Sequence, residues 1–259
     1  MSNTLTATSR TSGAVFVLLS GAGLVVFFWP LIAGSSALNS DVAVTVSLLV
    51  IPSVAIALVL AADRSLRTTH ALALVGVLAA VAALARVLST GFGGFELVFV
   101  VVILAGRALG ARQGFVVGVL AIALSSLVWG GFGPWTAYQM IALGWVGAGA
   151  GLLPRAWGRT PGTTGRVEVW ILAVYGAIAA YVFGILMNLW FWPLAVGPET
   201  SISLVEGAGL ADNLASFAVY TLATSTLTWD TVRALTTVVT LALIGRPALR
   251  ALRRVHERA

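Results

Sequence analysis

Three short stretches of this chain set hydrogen-bonding groups among aromatic rings. The first runs Trp129-Gly130-Gly131-Phe132-Gly133-Pro134-Trp135-Thr136-Ala137-Tyr138-Gln139-Met140. Its three glycines and a proline suit a tight turn between two helices, with Gln139 in the first turns of the second helix. The second stretch is Asn188-Leu189-Trp190-Phe191-Trp192-Pro193. Asn188 stands in an otherwise apolar run, so its amide needs a hydrogen-bond partner on a neighbouring helix or on a ligand. The third is Thr228-Trp229-Asp230 with Arg233, which follows Asp230 by three residues and shares its helix face. Such groups bind a small molecule: aromatic walls, a few amides and one ion pair. A plainer reading makes the tryptophans an interfacial belt and lets Asp230 and Arg233 neutralise each other. Trp29 fits the belt, which leaves Gln139, Asn188, Asp230 and Arg233 unexplained.

Other chemistries are excluded by what the chain lacks. It has no Cys and no Lys, since all 15 basic residues are Arg. Thiolate metal sites and cysteine nucleophiles are therefore absent. So are lysine Schiff bases and a nucleotide-binding P-loop, whose Lys is obligatory. The only histidines, His70 and His256, leave no Ser/His couple near the aromatic clusters, and no metal site is expected. Asp230 is the only acid expected inside a span, which is little for a proton-coupled carrier. No enzyme activity, cofactor or nucleic-acid partner is expected.

These groups need helices to position them. Of the 259 residues 59% are hydrophobic and 9% charged, and the mean hydropathy is +1.01. A soluble domain carries about a quarter of its residues as charges, so the chain is read as an all-α polytopic membrane protein. Apolar runs read as crossings of about 30 Å of hydrocarbon are Ser12–Ala33, Asp41–Ala62, His70–Leu88, the short Phe95–Leu109, which starts slightly outside the core, Gly114–Trp129, Trp135–Leu153 and Val169–Leu194. The eighth lies within Asn213–Ile244, where the polar stretch Ser225–Asp230 predicts a break between an interfacial helix, Leu210–Thr224, and a span, Thr228–Ile244. The first run also has the form of a signal anchor; cleavage after Ala37 would leave seven spans.

Eight spans sort the charges. Thirteen arginines (Arg10, Arg64, Arg67, Arg107, Arg112, Arg155, Arg159, Arg166, Arg246, Arg250, Arg253, Arg254 and Arg258) fall on one side of the membrane, while Arg86 and Arg233 fall within spans. The opposite loops carry Asp41, Glu96, Glu199, Glu206 and Asp212 and no Arg. The positive-inside rule then puts both termini in the cytoplasm of a cell-membrane protein and the aromatic clusters outside. The outer segment Ala195–Leu210 is long enough to act as a lid. On the third span, Gly76/Ala80 and Ala79/Ala83 are small-xxx-small pairs suited to close helix contact, within the chain or with a partner subunit.

The order and spacing of these motifs carry a resemblance. The run Leu104-Ala105-Gly106-Arg107-Ala108-Leu109-Gly110, then Gly114-Phe115, Gly131-Phe132-Gly133-Pro134-Trp135, Gln139-Met140, Gly144-Trp145-Val146-Gly147, Gly151-Leu152-Leu153-Pro154, Tyr175-Gly176, Gly184, Met187 to Pro193, and Thr224-Ser225 to Ala234 resembles the substrate-binding S component of an energy-coupling factor (ECF) transporter of actinobacterial type. The resemblance spans about residues 70–250 and implies a six-helix core over 70–246. Residues 1–69 would add two transmembrane helices and 247–259 a basic cytoplasmic tail. It implies a vitamin-type substrate, with a corrinoid such as cobalamin first and riboflavin, thiamine precursors or pantothenate as alternatives. The implied partners are a transmembrane T subunit, which Ala79 and Ala83 would meet, and two ABC ATPases. The substrate site is expected from Trp129, Phe132, Trp135, Gln139, Asn188, Trp190, Trp192, Trp229, Asp230 and Arg233. A stand-alone carrier or facilitator and a structural membrane protein are the competing readings.

Overall fold

The computed structural model describes residues 2–33, 53, 68–89, 91–154, 165–196, 200–205 and 207–257, with no account of the side chains of 2–12. Apart from Ser53, the expected second span Asp41–Ala62 lies outside the described residues, as do Arg64, Arg67, Arg155, Arg159, Glu199, Glu206 and Arg258.

The described residues are helical, with no strand. The helices are α1 (Ser2–Phe27), α2 (Trp29–Ala33), α3 (Thr69–Ser89), α4 (Val98–Leu109), α5 (Ala111–Val128), α6 (Pro134–Leu152), α7 (Arg166–Ala195), α8 (Leu210–Thr221) and α9 (Thr231–Glu257), with a π-helical segment, Leu222–Asp230, joining α8 to α9. Local chemistry sets the ends. Gly110, at φ 107°, separates α4 from α5 with a backbone conformation that other residues rarely adopt. Pro134 opens α6, where its missing N–H costs nothing, and the Thr136 hydroxyl accepts a hydrogen bond from Gly133 N at 2.9 Å.

Among the described residues, four helices are long and apolar enough to cross a membrane: Thr69–Ser89, Ala111–Val128, Arg166–Ala195 and the continuous helix Leu210–His256. Gly13–Phe27 and Val98–Leu109 are apolar but shorter. Their uncovered faces are aliphatic, as with Leu72, Val77, Val81, Leu84 and Leu88 on α3 and Val174, Ile178, Val182 and Ile185 on α7. In water such stripes would drive aggregation; against lipid they are the expected surface. The architecture is that of an all-α membrane protein.

With lipid outside, helices gain little from burying apolar surface against each other, so close contact must hold them. Helices α4, α5 and α6 cross where Gly106, Gly114 and Gly147 meet. A methyl group on Gly147 would overlap the Gly114 carbonyl oxygen, and one on Gly106 would overlap that of Gly147. Backbone atoms cannot swing aside, so this crossing admits only glycine. Phe99, Ile103, Phe115, Ile122, Ile141, Leu143 and Leu172, all 2% exposed or less, fill the interior around it.

The sequence-based break over 225–230 is corrected here. The chain does not stop and restart; the helix runs from Leu210 to Glu257 and widens into π geometry where the polar residues lie. Side chains supply part of the reason. The Thr231 hydroxyl donates to Thr226 O at 2.7 Å, and the Ser225 hydroxyl to Asp230 Oδ2 at 2.6 Å. Both link residues five apart, the period of a π-helix. The tail expected to start at 247 is likewise continuous with α9, which passes through Pro247.

Candidate functional site

One end of the bundle is basic. Arg107, Arg112, Arg166, Arg246, Arg250, Arg253 and Arg254 lie where α4 and α6 finish, α5 and α7 begin and α9 ends. Within that end Glu168, 4% exposed, ties three helices together. It accepts from Arg107 Nε at 2.6 Å and from Arg253 Nη1 at 3.0 Å, while Arg107 Nη1 donates to Leu153 O at 2.7 Å. Nothing in the residues flanking Glu168 in sequence signals that burial.

The opposite end holds a cavity of about 370 Å³. It is built from the last turns of α3, the loop before α4, the first turns of α4 and α6, the second half of α7, and the π segment with the start of α9. Phe99, Phe183, Met187, Phe191, Tyr220 and Trp229 give it apolar walls. Arg86, Glu96, Gln139, Asn188, Ser225, Asp230 and Arg233 give it polar groups.

The polar groups are held in two sets. Arg233, 6% exposed, donates from Nη1 to Asp230 Oδ1 at 2.5 Å and from Nη2 to Glu96 Oε1 at 3.0 Å. Its guanidinium carbon lies 5.1 Å from the Phe183 ring centroid and 5.5 Å from that of Phe99, within cation–π range. Asp230 is fully buried. It fits beneath α7 because position 184 is glycine; a methyl group there would overlap Asp230 Oδ1. In the second set Arg86 donates to Ser125 Oγ at 2.9 Å and to Gln139 Oε1 at 3.1 Å, fixing the orientation of the Gln139 amide. Two arginines and two carboxylates line the cavity, so its formal charge cancels. Asn188 stands apart. Its Nδ2 is buried and has no hydrogen-bond partner among the described residues. A buried amide donor left unmatched costs about 1–3 kcal/mol, and here it sits on the wall of a cavity with room for an acceptor.

The expected site residues divide. Gln139, Asn188, Trp229, Asp230 and Arg233 line the cavity. Trp129, Phe132 and Trp135 do not; they are 56%, 58% and 44% exposed around the α5–α6 turn. Gly130 and Gly131, both at positive φ, shape that turn. Trp190 and Trp192 are buried but outside the cavity wall. Trp190 stacks on Tyr138 with centroids 4.4 Å apart. Trp192 Nε1 donates to Ile202 O at 2.7 Å, which holds Ile202 beside it. No described residue of the 195–210 segment lines the cavity.

Ala79 and Ala83 are 0% and 7% exposed, so they pack inside the chain and present no docking face. The uncovered small residues of α3 are Ala73, Gly76 and Ala80. Arg86 and Glu96 were missed as site residues. For Arg86 the signal was present, because an arginine within a span needs a polar reason to be there. Glu96 gave none, since an acid in a loop is ordinary until the fold brings it to Arg233, 137 residues away in sequence.

The chain matches no protein-family model, no curated protein sequence and no solved structure. The residues of the cavity therefore carry the functional reading.

Proposed function

We propose that this chain is the substrate-binding membrane subunit of an ECF-type importer for a vitamin-class micronutrient. In this reading eight helices cross the cell membrane, the arginine-rich end lies in the cytoplasm and the cavity opens outward. A T subunit and two ABC ATPases supply the energy that a chain without a P-loop cannot.

The observation that carries the proposal is the cavity itself, with the unmatched Asn188 amide on its wall. A structural protein gains nothing from an unmatched buried donor beside an open volume, whereas a binding protein keeps both for its ligand. Volume and charge narrow the ligand. About 370 Å³ lies near the lower end of small-molecule pockets. That favours a compact ring system over a corrinoid macrocycle with its amide side chains. A lining whose charges cancel favours a neutral or zwitterionic molecule, and the amides of Gln139 and Asn188 suit ring carbonyls or nitrogens. The stand-alone carrier reading leans on Asp230 as a proton relay. Asp230 is instead held on both oxygens, by Arg233 and by Ser225.

The test is calorimetric titration of the purified full chain, in lipid nanodiscs, with a panel of vitamins that includes cobalamin, riboflavin, thiamine and pantothenate. One or more compact members should bind in the absence of any ATPase. A folded preparation that binds no member of the panel refutes the proposal.

A further inference from the structure

The N-terminal helices fall outside the six-helix region that resembles S components, and the cavity contains none of their residues. They nevertheless connect to it through aromatic rings. At the end of α1, Phe27 is fully buried. Its ring meets Tyr138 of α6 edge-on, with centroids 5.1 Å apart and an interplanar angle of 79°, and lies 5.5 Å from Trp145. Tyr138, also fully buried, stacks flat on Trp190 of α7 at 4.4 Å and 10°. Trp190 in turn leans on Phe191 at 5.3 Å, and Phe191 lines the cavity three residues after Asn188 and four after Met187. Beyond Phe27, Trp29 of α2 is 5% exposed, and α2 packs on α7. Further down α1, Phe16 sits edge-on to Phe115 at 5.1 Å, fastening the same helix to α5.

We propose that α1 and α2 are part of the binding apparatus: Phe27 is a positioning residue that holds the α7 wall of the cavity through the Tyr138–Trp190 stack. The physical case rests on what membranes lack. Lipid fills the space around α6 and α7 as readily as a protein side chain does, so burial alone does not keep α7 in one rotational setting. Ring geometry does, because edge-to-face and offset-stacked pairs have preferred distances and angles. Three consecutive ring contacts run from α1 to the residue beside Asn188. The half of α7 they hold carries Met187, Asn188 and Phe191, and the unmatched amide needs a set direction to meet an acceptor. The proposal rests on the cavity being a ligand site, and its test uses no ligand.

The absence of cysteine allows a clean measurement. Met187→Cys places one thiol on the cavity wall, and Ala173→Cys places one in the core of the same helix nearer the basic end, where Ala173 is 1% exposed. The probe is N-ethylmaleimide, applied to the full chain in nanodiscs. Replacing Phe27 by Ala should speed labelling at position 187 about three- to tenfold, the scale of one lost aromatic pair, and leave position 173 unchanged. Phe27→Leu, which keeps bulk without a ring and guards against misfolding of the Ala variant, should produce most of the same effect. Unchanged labelling at 187 overturns the proposal, and so does equal acceleration at 187 and 173, which would mean general loosening. If no vitamin binds the unaltered chain while the labelling result holds, the functional reading falls and the buttress stands.

Discussion

Arg233 offers a sharp test because its charge is nearly dry and shared between two unequal carboxylates. Asp230 is within 2.5 Å with its side chain 1% exposed, and Glu96 is at 3.0 Å with its side chain 27% exposed. Removing the only partner of a buried charge costs about 3–5 kcal/mol. In Asp230→Asn the arginine keeps Glu96, so the loss should be smaller, about 2 kcal/mol, mainly one charge-assisted hydrogen bond. In Glu96→Gln, where water already reaches the pair, it should be about 1 kcal/mol. The double variant leaves the guanidinium with no carboxylate and should lose about 5 kcal/mol, roughly 2 kcal/mol more than the single losses combined. Adding Arg233→Met removes the stranded charge and should return stability to within about 1 kcal/mol of the unaltered chain. Reversible unfolding in mixed micelles, titrated with sodium dodecyl sulfate and followed by far-ultraviolet circular dichroism, reads all four. If the double variant equals the sum of the singles, or the triple variant stays as unstable as the double, Arg233 is not the shared buried charge described here.

Three further outcomes follow from the same geometry. Asn188→Leu should abolish a hydrogen bond to ligand, lowering affinity about ten- to hundredfold by calorimetry, while its unfolding midpoint holds or rises because an unmatched buried donor is gone. Gly184→Ala should cost about 1–3 kcal/mol by forcing Asp230 from under α7, and Asp230→Ala in the same chain should recover part of that loss in the same unfolding assay. Glu168→Gln should loosen the end of α9 from α4 and α7, seen as faster tryptic cleavage after Arg250 and Arg253, while ligand affinity at the far end of the bundle is unchanged.

Much of the fold is legible in one dimension because a membrane helix is a local object. A run such as Val169–Leu194 announces its length, its state and its partner, lipid, without reference to the rest of the chain, and α7 spans Arg166–Ala195. The predicted break over 225–230 shows the limit. Polar residues in an apolar run signal departure from α geometry, but whether the chain breaks or widens depends on hydrogen bonds such as that from Thr231 to Thr226. The site was half legible for a related reason. Asn188, Asp230 and Arg233 are conspicuous because polar groups in hydrocarbon need partners. Aromatic residues carry no such signal, since the exposed Trp135 and Trp190 in a stack read alike. Ala79 and Ala83 misled in the same way: small residues mark a close approach without naming the neighbour, which is the chain's own interior.

By itself, then, the sequence determined the class of protein, the apolar helices, the segregation of arginines to one end and the absence of thiol, lysine and P-loop chemistry. These follow from composition and from interactions within a few residues, which do not depend on how helices pack. Only the tertiary structure decided that Glu96 closes on Arg233, that Arg86 orients Gln139, that Glu168 is buried between two arginines and that the ring of Phe27 meets Tyr138. Each of those joins residues far apart in the chain, and pairing across such distances is settled by which helix faces meet, a property no single segment contains.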